Sequence, residues 1–342
     1  MVRFARRSEA LFRALPGIAA GVLAAAFAAM PLPAASQPAD SFPARTIKIL
    51  VPYAPGGATD IIARIVAAKL TESLGQSVLV ENRTGASGNI ALEAVAKAPA
   101  DGYTLFVGNV STNTINENTF AHQLQIRPSR DLVGIAKLVE IPHIIATTAD
   151  FPANSLADLV ALAKKDPGKI NYGSAGLGSY PHLDMEKFQR AAAITLTHIP
   201  YKGGAGQMIP AIISGEAPVA FLNLSSGLPH IRSGRMKAIA TTAPSRLAEL
   251  PNVPTMAEQG FPGIGTNAWQ GMFAPAATPK PIIDKIYQSV AAVLSNSQMK
   301  EQLSKQMLDV TLSSSPAQFQ QLVEKETRAW GDFLRDAKIK IE

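Results

Sequence analysis

Three short glycine-rich bends could bind an anion through the main chain. They lie in Pro52-Tyr-Ala-Pro-Gly-Gly-Ala-Thr-Asp60, Gly173-Ser-Ala-Gly-Leu-Gly-Ser-Tyr-Pro-His182 and Tyr201-Lys-Gly-Gly-Ala205. Each follows an apolar run with strand character and precedes a helical pattern. Glycine lets the backbone turn tightly and brings its amides close to a ligand. The first N–H groups of a helix have no partner within it, and the dipole adds partial positive charge there. A carboxylate gains about 0.3–1 kcal/mol from that dipole, and up to about 2 when partly buried. The first bend alone is equally an ordinary strand-to-helix turn. Its recurrence favours an anion site.

Nucleophilic chemistry has weaker support. Ser, His and Asp are present, and an α/β sheet can host a triad. A Gly-x-Ser-x-Gly elbow is absent, and Gly173–Gly178 lacks the dinucleotide-binding spacing and context. No His-x-x-x-His or His/Asp cluster has metal spacing. The expectation is no catalytic residue, no metal and no cofactor. A periplasmic hydrolase using Ser174 or Ser179 with a histidine is the enzyme alternative. Loss of ester turnover in Ser174→Ala or Ser179→Ala would support it.

The elements that position the bends follow from periodicity. Ile47, Ile49 and Val51 alternate with Leu50 on the other face, predicting a buried strand that Pro52 and Pro55 stop. Thr59 or Asp60 is the expected cap of a helix in which Ile61, Ile65 and Ile62, Val66 recur at i, i+4, ended by Gly75. Strands at Val78–Glu81 and Tyr103–Gly108 flank a helix over Ile90–Lys97. Such alternation implies a parallel, doubly wound sheet with ligands at the carboxyl ends of its strands. The loops Tyr53–Thr59, Thr84–Asn89 and Asn109–Asn113 would converge there.

Leu132–Thr147, broken by Pro142, reads as a crossing into a second domain. Ser155 and Asp158 resemble a capping box for a helix over Leu156–Lys165. Strands follow at Ile170–Ser174, Thr195–Pro200, Val219–Asn223 and Met236–Thr242, with helices after the second and third bends and near Leu228–Ser233. Trp269–Pro279 returns to the first domain. Helices over Ile282–Leu294, Gln298–Gln306 and Pro316–Ala337, with a short strand at Val310–Leu312, close the chain. Two domains contributing helix N-termini to one cleft suit a small anion, and closure would remove water from it.

The amino terminus has the layout of a secretory signal peptide over residues 1–36. Arg3, Arg6, Arg7 and Arg13 precede an apolar run from Leu15 to Met30 and small residues at Ala34–Ser36. A retained anchor is the alternative, but the run contains Pro16 and Gly17 and is short for a membrane span. The chain has no cysteine, hence no disulfide, thiolate or lipid-attachment cysteine. These features point to a soluble periplasmic protein. The net charge is +6, and removing those four arginines with Glu9 lowers it by three. No basic stripe interleaved with aromatics supports nucleic-acid binding. With 47% hydrophobic residues the chain can bury substantial cores.

Taken together, the motifs resemble the substrate-binding proteins of tripartite tricarboxylate transporters, the Bordetella uptake gene family. The resemblance rests on Val51–Arg64, Val80–Asn89, Ala100–Leu105, Tyr172–Ser179 with His182, and Pro200–Ala205. It continues with Arg246, Leu250–Thr255, Glu258–Gly260, Trp269-Gln-Gly and Ala274–Pro279. It implies a two-lobed periplasmic binding protein of type II, each lobe a mostly parallel sheet flanked by helices, closing like a Venus flytrap. Lobe 1 would span 43–141 plus 266–342, and lobe 2 142–265. The family implies a monomeric receptor that delivers a small carboxylate to inner-membrane permease subunits. A receptor feeding a signalling partner is the other reading of the same fold.

The expected ligand-binding residues follow. Main-chain donors are Ala54, Gly56, Gly57, Ala58, Gly178, Gly203, Gly204 and Ala205. Tyr53 offers a ring or hydroxyl, with a lobe-surface aromatic as the alternative. Ser174 and Ser179 offer hydroxyls, or else cap a helix. His182 is a donor or a structural histidine on a loop carbonyl. Lys202 brings charge, although the Gly-Gly beside it argues for backbone binding. Asn109, Ser111 and Asn223 are amide and hydroxyl candidates at strand ends. Asp60 is read as a cap, since it would repel an anion, and Trp269 as packing at the inter-lobe crossing. Members of the family often carry Asp where this chain has Pro218 and Asn223. Without that carboxylate the expected ligand has no amino group: a di- or tricarboxylate, or an aromatic acid.

Overall fold

The computed structural model describes residues 42–266 and 268–336, which belong to one compact unit. Residues 1–36, read above as a signal peptide, lie outside the described residues. Among the described residues no helix is long and apolar enough to cross a membrane.

Strand β1, Ile47–Val51, has every residue but Lys48 buried. It feeds helix α1, Ala58–Leu74, which buries Ile62, Val66 and Leu70 on one face and leaves Ile61 and Ile65 half-buried. Each of those three side chains contributes about 1.5–3 kcal/mol of transfer free energy. The helix starts at least two residues earlier than the capping expectation. Gly57 holds the N-cap position with no side chain to cap, and Gly75 ends the helix in the left-handed region at φ 65°. Then come β2 (Val78–Asn82), α2 (Asn89–Ala96), β3 (Thr104–Asn109), a π-type turn at Ser111–Ile115, and the short helices α3 (Asn116–Thr119) and α4 (Pro128–Asp131).

The apolar crossing is two strands, β4 (Leu132–Ile141) and β5 (His143–Thr148), which join different sheets on either side of Pro142. The second sheet is built from β5 with β6 (Asn171–Ser174), β7 (Thr197–Pro200), β8 (Val219–Asn223) and β9 (Met236–Thr241). Between them run α5 (Leu156–Lys165), α6 (Tyr180–Ala192), α7 (Ala205–Ser214) and α8 (Leu224–Arg232). The Ser155 side chain accepts from the Asp158 N–H, as the capping box requires. The chain returns through β10 (Ala268–Pro275), then α9 (Lys280–Ser295), α10 (Ser297–Ser304), β11 (Asp309–Val310) and α11 (Pro316–Asp336).

The fold is two-lobed, with strand orders β11-β4-β10-β3-β1-β2 and β7-β6-β8-β5-β9. Both sheets are mixed, not mostly parallel. β1 pairs parallel with β2 and β3, and β6 with β7 and β8. β10 runs antiparallel to β3 and β4, and β5 antiparallel to β8 and β9. A strand that enters from the other lobe runs against strands laid down by helical crossovers. β10 is inserted into the middle of the first sheet, which local alternation of strand and helix does not announce. One core surrounds the first sheet, and two clusters cover the faces of the second. Tyr180 and Leu183 of α6 join the first core and so tie the lobes together.

Candidate functional site

The bends meet at the seam between lobes. Ala54 N–H donates to the Gly203 carbonyl across it at 3.0 Å. Ser87 Oγ donates to the Leu177 carbonyl at 3.0 Å, and Tyr180 N–H donates to Ser111 Oγ at 3.0 Å. A Cβ placed on Gly57 would lie 3.7 Å from the Ala205 Cβ, and one on Gly204 3.0 Å from the Tyr53 ring. The N-termini of α1 and α7 therefore face each other.

Between them lies a cavity with ≈ 30 Å³ open to the centres of water molecules. The first lobe contributes Tyr53, Gly57, Ala58, Thr59 and Asn109. The second contributes Ala175, Tyr180, Pro181, Gly204, Ala205, Met208, Phe221, Leu222 and Asn223. None of these side chains is charged. The donors are instead the first-turn amides of α1 and α7, which have no helical acceptor, together with hydroxyls and carboxamides.

Two tyrosine–asparagine pairs flank the cavity. Tyr53 OH donates to Asn109 Oδ1 at 3.5 Å, and Tyr180 OH to Asn223 Oδ1 at 3.2 Å. The Thr112 N–H also donates to Asn109 Oδ1, at 3.3 Å, which fixes that carboxamide with its NH2 group pointing elsewhere. Burial pushes the Tyr53 phenol up to about 12 against the hydrogen bonds of Asn109 and Ser111, so it stays a neutral donor. Burial likewise raises the Tyr180 phenol, and the nearby Tyr53 adds to it. Thr59 Oγ1 donates to Gln270 Oε1 at 2.7 Å; Gln270 is fully buried in β10, in register with Asn109.

The profile of the family described as "Tripartite tricarboxylate transporter family receptor" (TctC) matches residues 62–339. The chain belongs to that family. The receptor is 33% identical to BugT of Bordetella pertussis over 309 residues, 90% of this chain and 94% of that protein. It superposes on a solved R. palustris protein with adipate at a TM-score of 0.83 and 33% identity, covering 87% of this chain and 99% of the other. The structure of MatC from Rhodopseudomonas palustris with bound malate gives a TM-score of 0.80 at 32% identity, covering 85% and 99%. The periplasmic binding protein BugD gives 0.80 at 30% identity, covering 87% and 99%.

Of the receptor's sequence-predicted site residues, Tyr53, Gly57, Ala58, Asn109, Gly204, Ala205 and Asn223 line the cavity. The others are not on its wall, and apart from Lys202 they already have polar groups engaged elsewhere. Gly56 N–H donates to Asp60 Oδ2 at 3.1 Å, and Gly203 N–H to Gln207 Oε1 at 2.8 Å. Ala54 and Ser111 hold the lobes together, as above. Ser174 and Ser179 both donate to the Gly176 carbonyl, at 3.0 and 2.7 Å. They brace the bend, and neither lines the cavity or caps α6. Gly178 N–H donates to His182 Nδ1 at 3.1 Å, so His182 is an acceptor there. Lys202 is exposed.

Ser174 Oγ also lies 2.7 Å from His198 Nε2, but Ser174 is fully buried and absent from the cavity wall. Burial, then the neighbouring His182, drives the His198 pKa down to about 3.

The sequence reading missed Thr59, Ala175, Tyr180, Pro181, Met208, Phe221 and Leu222. Phe221 and Leu222 lie near the carboxyl end of β8, where the rule for α/β sheets places ligands. Tyr180 lies inside a bend already singled out. Thr59, in the first turn of α1, was read as a cap.

Asp60 shapes the first bend. Its carboxylate accepts from Gly56 N–H, from Asn82 Nδ2 at 2.9 Å and from Arg64 Nε at 2.9 Å. Burial pushes its pKa up, but the bonds from Arg64, Asn82 and Gly56 outweigh burial and hold it below the usual carboxylate range. A depressed folded pKa means stability that is complete above the unfolded value, roughly 3.9, and is lost as pH falls through the folded value. Asp60→Asn is expected to cost about 1.5–3 kcal/mol at pH 7. Urea melts from pH 7 to 2 should show that deficit shrinking below about pH 4. A deficit independent of pH would contradict the assignment.

Proposed function

We propose that this receptor is a periplasmic solute-binding protein. It traps a small carboxylate between its lobes with main-chain donors and delivers it to the permease subunits of a tripartite tricarboxylate-type transporter. The observation that carries the reading is the pair of opposed helix N-termini, α1 and α7, on a cavity lined by no charged side chain. Such a site stabilises an anion through fixed dipoles and N–H groups and places no cation against it. A few charge-assisted hydrogen bonds, each about 1.5–3 kcal/mol net, suffice for micromolar affinity, which is about −8 kcal/mol. The lobes are assigned as 43–141 with 266–342, and 142–265, so that Pro142 and the approach to β10 form the hinge.

The ligand class follows from the wall. Tyr53, Tyr180, Met208, Phe221 and Leu222 suit a hydrocarbon spacer, and no lining carboxylate is present for an ammonium. Malate and adipate, named with the two R. palustris relatives, are acids of this type. The proposed ligand is a di- or tricarboxylate, or an aromatic acid, without an amino group.

A thermal-shift panel tests this, because a ligand that binds only the folded state raises the melting temperature. Succinate, malate, adipate, citrate and benzoate should be compared with aspartate and glutamate. At least one acid of the first set should stabilise by about 2.7 kcal/mol at a hundredfold excess over its Kd. Tighter binding of aspartate or glutamate would refute the ligand class. No response to any acid would refute carboxylate binding.

A further inference from the structure

The second glycine bend is held from behind by two imidazoles. His182 Nδ1 accepts from the Gly178 N–H at 3.1 Å. An acceptor nitrogen carries no proton, so this bond exists only while His182 is neutral. Ser174 Oγ spends its proton on the Gly176 carbonyl at 3.0 Å and accepts from the Gly176 N–H at 3.1 Å. His198 Nε2, 2.7 Å from the same oxygen, therefore donates to it. The two imidazole rings stack with centroids 4.1 Å apart, 21° from parallel. Two cations at that distance would repel strongly.

The other side of the bend faces the first lobe. Ser87 Oγ donates to the Leu177 carbonyl at 3.0 Å, and a Cβ on Gly176 would lie 2.6 Å from that same serine oxygen. Ala175 lines the cavity. The bend is thus gripped between Ser87 of one lobe and the histidine pair of the other.

Among the described residues, Tyr172 and Glu186 are the titratable groups that face the pair. Tyr172 of β6, fully buried, stacks on His198 at 4.9 Å and on His182 at 6.4 Å, and its hydroxyl donates to Glu186 Oε1 at 3.0 Å. Glu186 of α6 also accepts from Gln189 Nε2 at 2.9 Å. Tyr201, packed on Gly173, gives its hydroxyl to Glu216 at 3.1 Å. Burial lowers the His182 pKa against the pull of Glu186, and burial with the neighbouring His182 lowers that of His198 to about 3. Both rings are therefore neutral at neutral pH.

We propose that His182 and His198 are positioning residues for the ligand site: as neutral rings they hold the second bend against the first lobe, and protonation releases it. A proton on His182 Nδ1 sets a donor against the Gly178 N–H. A second proton on His198 sets a cation against the His182 ring. Either displaces the bend, taking the Leu177 carbonyl off Ser87 and opening the seam. Closure and protonation thus oppose each other, and the coupling is reciprocal. Histidines with a depressed folded pKa favour the closed form in full above about pH 6.5, and that contribution is lost as pH falls from there toward the folded values. The effect on ligand rests on the carboxylate reading; the bend's own response does not.

Isothermal titration of the full-length protein with malate and adipate, at about pH 7.5 and 5.5, tests the effect on ligand. Both acids also lose charge toward the lower pH, so the readout is the difference between proteins. Wild-type affinity should fall by about tenfold more than that of the double variant His182→Gln with His198→Gln, whose carboxamides do not titrate. At pH 7.5 His182→Phe, with no acceptor for Gly178, should bind more weakly than His182→Gln, which keeps one. Nuclear magnetic resonance of the ligand-free protein tests the bend. The Gly178 amide signal should move with His182 protonation in wild type and stay fixed in His182→Gln. Ligand-free melting temperatures show which variants fold, and the wild-type Gly178 titration decides if none does. An equal loss of affinity in wild type and double variant, or a wild-type Gly178 signal unmoved from about pH 8 to 4.5, overturns the positioning role. Binding of neither acid counts against the carboxylate reading, and the Gly178 signal then decides the positioning role alone.

Discussion

Gly206→Ala should leave the receptor folded and cut its affinity for ligand by at least about 100-fold, the loss expected when closure costs roughly 3 kcal/mol more. Gly206 is the second residue of α7, and its backbone is helical, with no positive φ. Alanine is therefore favoured there on local grounds by about 0.5–1 kcal/mol. The obstacle lies in the other lobe. A Cβ at this position would meet the Pro55 carbonyl oxygen at 2.5 Å and the Ala54 Cβ at 3.1 Å. A main-chain oxygen in a proline-flanked bend cannot rotate away. The methyl group thus opposes only the closed arrangement, in which the N-termini of α1 and α7 face each other.

Two measurements separate this from simple damage. The ligand-free melting temperature should hold or rise, while the ligand-induced shift should vanish. Small-angle scattering should show no compaction on adding ligand. Unchanged affinity would mean that the seam yields, and that the contact between the two bends is not what closure depends on. Gly176 stands against the opposite lobe in the same way, its missing Cβ 2.6 Å from Ser87 Oγ, but its φ of 123° strains any replacement. Gly206 is therefore the cleaner probe.

Trp269→Ala should remove about 3–5 kcal/mol of stability, a large share of the roughly 5–15 kcal/mol that holds a typical domain folded. Trp269 is 1% exposed, in β10 just after the chain re-enters the first lobe. Its ring meets Phe319 edge-on at 5.4 Å and Phe273 at 6.2 Å. Its indole N–H donates to Glu326 Oε2 at 2.8 Å. Burial raises the Glu326 pKa against that bond and nearby Lys137. Removing the indole therefore leaves both a cavity and a half-buried carboxyl group without its donor. Chemical denaturation should show the midpoint falling sharply with little change in slope. Trp269→Phe, which keeps most of the volume and loses the N–H, should cost about 1–3 kcal/mol. A loss below about 1 kcal/mol for alanine would contradict the packing role.

Sequence by itself determined what depends on neighbours in the chain. Alternation of Ile47, Ile49 and Val51 specified β1 because a strand's faces repeat every two residues. Ser155 and Asp158 specified the start of α5 because a cap bond spans three residues. Glycine bends between strands and helices specified amide donors at helix starts, and the seam brings Gly57, Gly204 and Ala205 to one cavity. The family, too, was legible in those stretches.

Tertiary structure decided which donors are left free. Ser174 and Ser179 were candidates by type and position, but both spend their protons on the Gly176 carbonyl. Tyr180, unremarked in the sequence, faces the cavity and draws the Asn223 oxygen away from α8 across 43 positions of chain. β10 enters the middle of the first sheet from the other lobe and makes it mixed. The reason is common to all three. Periodicity and capping are short-range, whereas a hydroxyl's or carboxamide's availability is set by whichever distant group reaches it first, and only the packed chain fixes that.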